Sequence, residues 1–116
     1  MAGQLTTHVL DLVLGSGAGG LTVTLHRLSP HSADLGETRL DAGGRAVLLS
    51  GAALQPGLYE LVFKVGAYHR ATGQAPPEDP PFLDEVPVRF GVADAGMHIH
   101  VPLLVSLYGY STYRGG

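Results

Sequence analysis

Two histidines spaced two residues apart, His98 and His100, open the last stretch of the chain, and Tyr113 and Arg114 lie near its end. Chain ends usually fray into polar residues, so aromatic and cationic chemistry there asks for a reason. On a strand both imidazoles project from one face, because side chains alternate with period two. An imidazole changes charge near neutral pH, so such a pair can activate water, pass a proton or bind a metal. Zinc would need a third ligand, and His8, His26 and Asp11 are available without any spacing that selects one. Three readings therefore stand: members of a catalytic site, a metal pair, or polar residues on a solvated face. His8 lies in the strand-like run Thr6-Thr7-His8-Val9-Leu10-Asp11. With period two it shares a face with Leu10 and Leu12, while Thr7, Val9, Asp11 and Val13 take the other. Alone it is an ordinary strand histidine, and it gains meaning only beside another. Arg45 follows Gly43-Gly44 at a strand start, where a guanidinium can hold a planar, oxygen-rich ligand through paired hydrogen bonds or simply face solvent. On a regular final strand Tyr113 and Arg114 point to opposite faces.

The composition narrows the function class. There is no cysteine, which removes disulfides, thiolate nucleophiles and cysteine metal sites. The net charge is −3, with one lysine, Lys64, and the arginines scattered singly. Nucleic acid and anionic membrane are therefore poor partners. No apolar run approaches the ~18 residues of a membrane span, and the first residues lack a charged segment followed by an apolar one. The expectation is a cytoplasmic protein. A chain of 116 residues is the size of one domain, spanning residues 1–116. It is 45% hydrophobic and only 15% charged, which excludes disorder and suggests that other subunits cover part of its surface. Gly15-Ser16-Gly17-Ala18-Gly19-Gly20 satisfies the dinucleotide pattern G-x-G-x-x-G. Phosphate binding there requires a helix next, and the strictly alternating Leu21 to His26 is a strand instead, so the glycines read as a hairpin loop.

These residues need strands to position them. Runs over Thr7 to Leu14, Leu21 to His26, Glu37 to Leu40, Arg45 to Leu49, Leu58 to Val65, Glu85 to Val92, His98 to Ser106 and Tyr108 to Gly115 are separated by Gly, Pro and Asp turns. Ala67 to Thr72 lacks alternation and precedes Gly73, as a short helix with a glycine cap would. The proline-rich Pro76 to Pro81 reads as an exposed loop, and Pro87 marks its strand as an edge, a start or a bulge. About eight short strands with frequent turns indicate an all-β antiparallel sandwich or barrel.

The terminal His100-Val101-Pro102-Leu103-Leu104 with Gly109-Tyr110-Ser111-Thr112-Tyr113-Arg114-Gly115, and the initial Thr6-Thr7-His8-Val9-Leu10-Asp11, resemble the two signatures of the 5-hydroxyisourate hydrolases, the transthyretin-related enzymes of urate breakdown. Asp41-Ala42-Gly43-Gly44-Arg45, Gly57-Leu58-Tyr59-Glu60-Leu61 and Phe82 to Phe90 fall between them in the family's order, so the similarity spans nearly the whole chain. The resemblance implies a transthyretin-like sandwich of two four-stranded sheets with one short helix after the fifth strand. It implies a homotetramer, a dimer of dimers, with active sites at the dimer–dimer interface. Carried over by position, the catalytic residues are His8, Arg45 and His100, and the substrate is bound by His8, Arg45, Tyr113 and Arg114, with no metal and no cofactor. His98 is not selected and takes a supporting or structural place. The implied reaction is hydrolysis of 5-hydroxyisourate to 2-oxo-4-hydroxy-4-carboxy-5-ureidoimidazoline, with a histidine activating water. Gly116 stands where the family usually has serine, Leu107 where it usually has proline, and the loop Pro76 to Pro81 is longer than typical. A carrier of small ligands on the same fold is the alternative, although histidines and an arginine suit an apolar ligand poorly.

Overall fold

A computed structural model describes residues 3–116, so the first two residues of the expected domain lie outside the described residues. The strands are β1 (Gln4–Asp11), β2 (Ser16–Gly17), β3 (Thr22–Ser29), β4 (Ala33–Arg39), β5 (Arg45–Ser50), β6 (Gly57–Phe63), β7 (Val86–Val92), β8 (His98–Val105) and β9 (Tyr110–Thr112). One α-helix among the described residues, α1 (Val65–Ala71), follows β6, the fifth of the strands longer than two residues, and a short 3-10 turn, Gly51–Ala53, lies between β5 and β6. Gly73 beyond it has φ +74°, as a glycine helix cap requires.

One sheet runs β4-β3-β6-β7, antiparallel throughout, with the Pro87-bearing β7 at its edge. The other is built around β1, which pairs in parallel with β8 on one side, while β9 closes that side antiparallel to β8. The other side of β1 is shared: β5 pairs with Gln4 to His8, and the two-residue β2 with Leu10 and Asp11. The transthyretin-like sandwich is thus present, with one parallel pair and a short extra strand added to the expected two sheets of four.

The alternation that defines the strands also makes the core. Leu5, Val9, Ile99, Val101, Leu103 and Val105 from one sheet meet Val23, Leu25, Tyr59, Leu61 and Phe63 from the other. Each fully buried aliphatic or aromatic side chain contributes roughly 1.5–3 kcal/mol. Three expectations differ from the structure. The final strand is only Tyr110–Thr112 instead of Tyr108 to Gly115, so Tyr113 and Arg114 lie beyond it and border one cavity instead of opposite faces of a regular strand. The first strand ends at Asp11, because Asp11 Oδ1 accepts the Val13 and Leu14 amides at 2.9 and 3.0 Å and turns the chain there. The glycine-rich stretch is no hairpin loop between β1 and β3, which lie in different sheets. Its first residues pair with β1 as β2, and the rest crosses to the other sheet.

Asp11 also anchors the helix. It is 1% exposed, and its Oδ2 accepts Tyr68 Oη–H at 2.7 Å and Gln74 Nε2–H at 2.9 Å. Burial pushes this carboxyl up, but the bonds from Gln74, Leu14, Tyr68 and Val13 outweigh it and hold it below its ordinary 3.8. The neighbouring His69 is buried, its Nε2 without a partner, and burial keeps its ring neutral against the pull of the Asp11 charge. Both shifts destabilise the fold in acid. The Asp11 contribution is complete above pH 3.8 and is lost as pH falls through the lower folded value. That of His69 is complete above pH 6.5 and declines as pH drops below it. The urea midpoint of unfolding should therefore fall in two stages with acidification, and a flat profile between about pH 7 and 5 would remove His69 from the account. Asp11→Ala, which strips the acceptor from four donors, should cost about 3–5 kcal/mol in the same measurement.

Candidate active site

The parallel register between β1 and β8 assembles the site. Thr6 sits beside His100 and Gln4 beside His98, while on the other side of β1 His8 faces Arg45 and Thr6 faces Val47. The inward positions Leu5, Thr7 and Val9 are buried in the core, so the alternate residues Thr6 and His8 lie on the outer face, with His98, His100 and Arg45 alongside. Residues from the two ends of the chain and from its middle thus meet on one surface.

The threonine and the histidines are held by identifiable contacts. Thr6 Oγ1 lies 2.7 Å from His98 Nε2 and 2.7 Å from His100 Nδ1. His8 Nε2 donates to the Gly43 carbonyl at 3.0 Å, which places the proton of the neutral ring on Nε2 and leaves Nδ1 as an acceptor. That carbonyl is presented by a tight turn. Asp41 Oδ1 accepts the amides of Gly43 and Arg45, each at 2.9 Å, and the Asp41 carbonyl accepts the Gly44 amide at 2.9 Å. Gly44 has φ +78°, and a Cβ there would meet the Val9 carbonyl oxygen at 2.5 Å, so only glycine fits. The Asp-Ala-Gly-Gly sequence therefore both orients His8 and launches Arg45.

The tail forms a wall of the site. The Gly115 amide donates to the His100 carbonyl at 2.9 Å, and a methyl group on Gly115 would overlap the imidazole of His100. A cavity of about 350 Å³ is lined by Thr6, Asp41, Arg45, Val47, His98, His100 and Gly116. Tyr113 and Arg114 line a second cavity, of about 300 Å³, with Arg89, Phe90 and Met97, and His100 borders both. Within one chain the structure therefore brings His8, Arg45 and His100 together and sets Tyr113 and Arg114 in the neighbouring cavity that His100 also borders. Among the described residues there is no group of three or more His, Cys, Asp or Glu side chains placed to hold a metal ion.

Thr6 is the participant that sequence reasoning missed. Its signal was available, since it stands two residues before His8 and so on the same strand face. His98, given only a supporting place from sequence, shares the Thr6 hydroxyl with His100.

Electrostatics singles out His100. Partial burial lowers its pKa below 6.5, and the charges of His98, His8 and Arg45 lower it further. At neutral pH its ring is an uncharged base, with Nδ1 engaged by Thr6 and Nε2 free of any hydrogen bond among the described residues.

Fold and cluster together define a transthyretin-like sandwich that carries an imidazole–guanidinium site on the outer face of one sheet. The model of the HIUase/Transthyretin family matches residues 5–115. The 5-hydroxyisourate hydrolase 2 of Rhizobium meliloti is 52% identical, over 98% of this chain and 97% of its own. Among solved structures, the 5-hydroxyisourate hydrolase of Klebsiella pneumoniae superposes with a TM-score of 0.80 at 32% identity, over 98% of this chain and 99% of its own. (S)-allantoin synthase superposes with a TM-score of 0.94 at 40% identity, covering 99% of this chain, which spans only 44% of that longer protein. The chain belongs to the HIUase/Transthyretin family.

The protonation of His100 is open to direct measurement. In proton–nitrogen spectra followed against pH, the His100 ring should titrate below 6.5. Because the Arg45 guanidinium disfavours the imidazolium, Arg45→Gln should move that midpoint upward. A midpoint that stays in place would show that the guanidinium charge does not reach the ring.

Proposed function

We infer that this chain is a 5-hydroxyisourate hydrolase of urate catabolism, opening a cyclic amide-type C–N bond by histidine-assisted attack of water. The observation that carries the reading is His100, held neutral beside Arg45 and His8 in a chain of this family. Water is a weak nucleophile at neutral pH, and a neutral imidazole within reach can take its proton as the carbon–oxygen bond forms. His100 Nε2 is assigned that role. As water attacks the carbonyl carbon, an electron pair moves onto the carbonyl oxygen, and the Arg45 guanidinium, cationic at any relevant pH, stabilises that charge. Collapse of the adduct breaks the C–N bond, and the departing nitrogen takes up the proton that water gave to the imidazole. His8, fixed through Gly43, accepts a substrate hydrogen bond at Nδ1 and orients the ring. Tyr113 and Arg114 bind substrate from the tail side. The product then passes to a step leading towards allantoin, which agrees with a domain of this fold lying inside a longer (S)-allantoin synthase.

The working form in this proposal is a cytoplasmic homotetramer, a dimer of dimers. Two features support the assembly. β7 and β9 leave sheet edges open on the same side of the sandwich as the tail, and such edges are normally covered. Leu12, Val13, Leu14 and Val47 are all more than half exposed, an apolar surface that a second pair of subunits would cover while closing water out of the site.

Freshly generated 5-hydroxyisourate should lose its ultraviolet absorbance far faster with the protein than without it. Decay at the spontaneous rate, or tight binding of an apolar ligand without turnover, would overturn the hydrolase in favour of a carrier. His8→Ala and His100→Ala should each slow turnover by about 100-fold or more with the fold retained by circular dichroism, and activity of the native protein should fall as pH drops through the His100 titration. Sedimentation should give four times the 12.1 kDa chain mass, and a monomer would sink the tetramer.

A further inference from the structure

Thr6 places one hydroxyl between two imidazoles. The ring centroids of His98 and His100 are 6.0 Å apart, too far for a direct bond, yet Thr6 Oγ1 is 2.7 Å from a nitrogen of each. A hydroxyl has one proton to give and lone pairs to receive. Two unprotonated nitrogens cannot both be served by it, so at least one ring must present an N–H to the oxygen. The arrangement is then N–H···O–H···N, and it can run in either direction by moving both protons along.

The two ends differ in environment. His100 is partly buried, with His8 on β1 and Arg45 on β5 close enough to disfavour a positive charge on it. Asp41 lines the same cavity from the turn before β5, and Gly115 and Gly116 bring no charged side chain. His98 is exposed. A positive charge is better solvated on His98 than on His100.

We infer that Thr6 makes His98 and His100 a proton relay, in which the charge gained by His100 during water attack is carried through the hydroxyl to the solvent-facing His98. The inference rests on the hydrolase reading above for its catalytic use. Its balance closes. His100 begins with its proton on Nδ1; Nε2 takes a proton from water as the water oxygen bonds to the carbonyl carbon. Nδ1–H then passes to Thr6 Oγ1 while the Thr6 proton passes to His98 Nε2, leaving His100 neutral with its proton on Nε2. When the C–N bond breaks, Nε2–H goes to the departing nitrogen. The Thr6 proton returns to His100 Nδ1 as His98 Nε2 gives its own back to the hydroxyl. All three side chains end as they began, and the proton from water lies on the product. Thr6 and His98 are thus positioning and relay groups, while His100 alone meets the substrate.

Three variants test this. Thr6→Val removes the hydroxyl without changing shape on a strand position that favours β-branched residues, Thr6→Ser keeps the hydroxyl, and His98→Gln removes the terminal base. Thr6→Val and His98→Gln should each lower kcat about tenfold with KM little changed, and the double variant should fall no further, as for groups that act in one chain. Thr6→Ser should stay near the native rate, and free imidazole added at constant pH should raise the rate of Thr6→Val but not of the native protein. In proton–nitrogen spectra the neutral His100 ring should show a hydrogen-bonded Nδ1–H in the native protein, and that signal should be lost in Thr6→Val and kept in Thr6→Ser. A Thr6→Val enzyme at the native rate, additive losses in the double variant, or a loss that neither serine nor imidazole restores would overturn the relay. A native protein with no turnover would overturn the hydrolase reading instead, and the hydrogen-bonded Nδ1–H of His100, present with Thr6 and lost in Thr6→Val, would still decide whether Thr6 links the rings.

Discussion

The parallel pairing of β1 with β8 is the constraint on which the site depends. It sets Thr6 beside His100 and His8 beside Pro102 across more than ninety positions of sequence. A slip of one residue would turn every side chain of β1 to the opposite face, burying His8 and Thr6 and exposing Leu5, Val9 and the Asp11 carboxylate. The core resists that slip. Leu5 and Val9 from β1 and Val101, Leu103 and Val105 from β8 are all nearly inaccessible, each contributing roughly 1.5–3 kcal/mol of burial. The outward hydrogen bonds of Thr6 and His8 are worth only about 0.5–1.5 kcal/mol apiece. The register is therefore held from inside, and the polar cluster rides on it.

The second edge of β1 completes the electrostatics. β5 brings Arg45 opposite His8, and the same Asp41 turn that starts β5 supplies the carbonyl that holds the His8 ring. Among the described residues Arg45 forms no ion pair, the bridges lying at Lys64–Glu85, Arg70–Asp84 and Arg89–Glu60. Its charge is left free to act on a ligand and on His100. In a chain of net charge −3, Arg45 with His8, His98 and His100 makes this face locally basic, which draws oxygen-rich ligands there and keeps the imidazole that must act as a base uncharged.

Much of this was legible in the residues themselves. Period-two alternation marked β3, put His98 and His100 on one face and separated His8 from the core positions around it. Pro87 narrowed its strand to an edge, a start or a bulge, of which the structure shows the edge, and Gly73 marked the end of the helix. The meeting of His8 with His100 was not legible, because no local pattern encodes which strands become neighbours; the family resemblance supplied it. The end of β1 at Asp11 was missed because a carboxylate that caps a turn and binds Tyr68 and Gln74 acts through partners distant in sequence. Thr6 was passed over for a related reason. A threonine in a strand is ordinary by composition, and only the register with β8 places its hydroxyl between two rings.

The tail adds a steric condition to these electronic ones. Its backbone is tied to β8 by the bond from the Gly115 amide to the His100 carbonyl, and the absent side chain of Gly115 is what leaves the His100 ring its space. From the opposite side, Thr6 Oγ1 holds Nδ1 of the same ring. The imidazole is thus clamped between a hydroxyl and a glycine, with one nitrogen spoken for and the other free. That is why the chain cannot trade this glycine for a larger residue without moving the group on which the chemistry turns. It also explains how Tyr113 and Arg114, in the cavity that His100 shares with them, bear on the site: any shift of the tail that carries them is transmitted to His100 through Gly115.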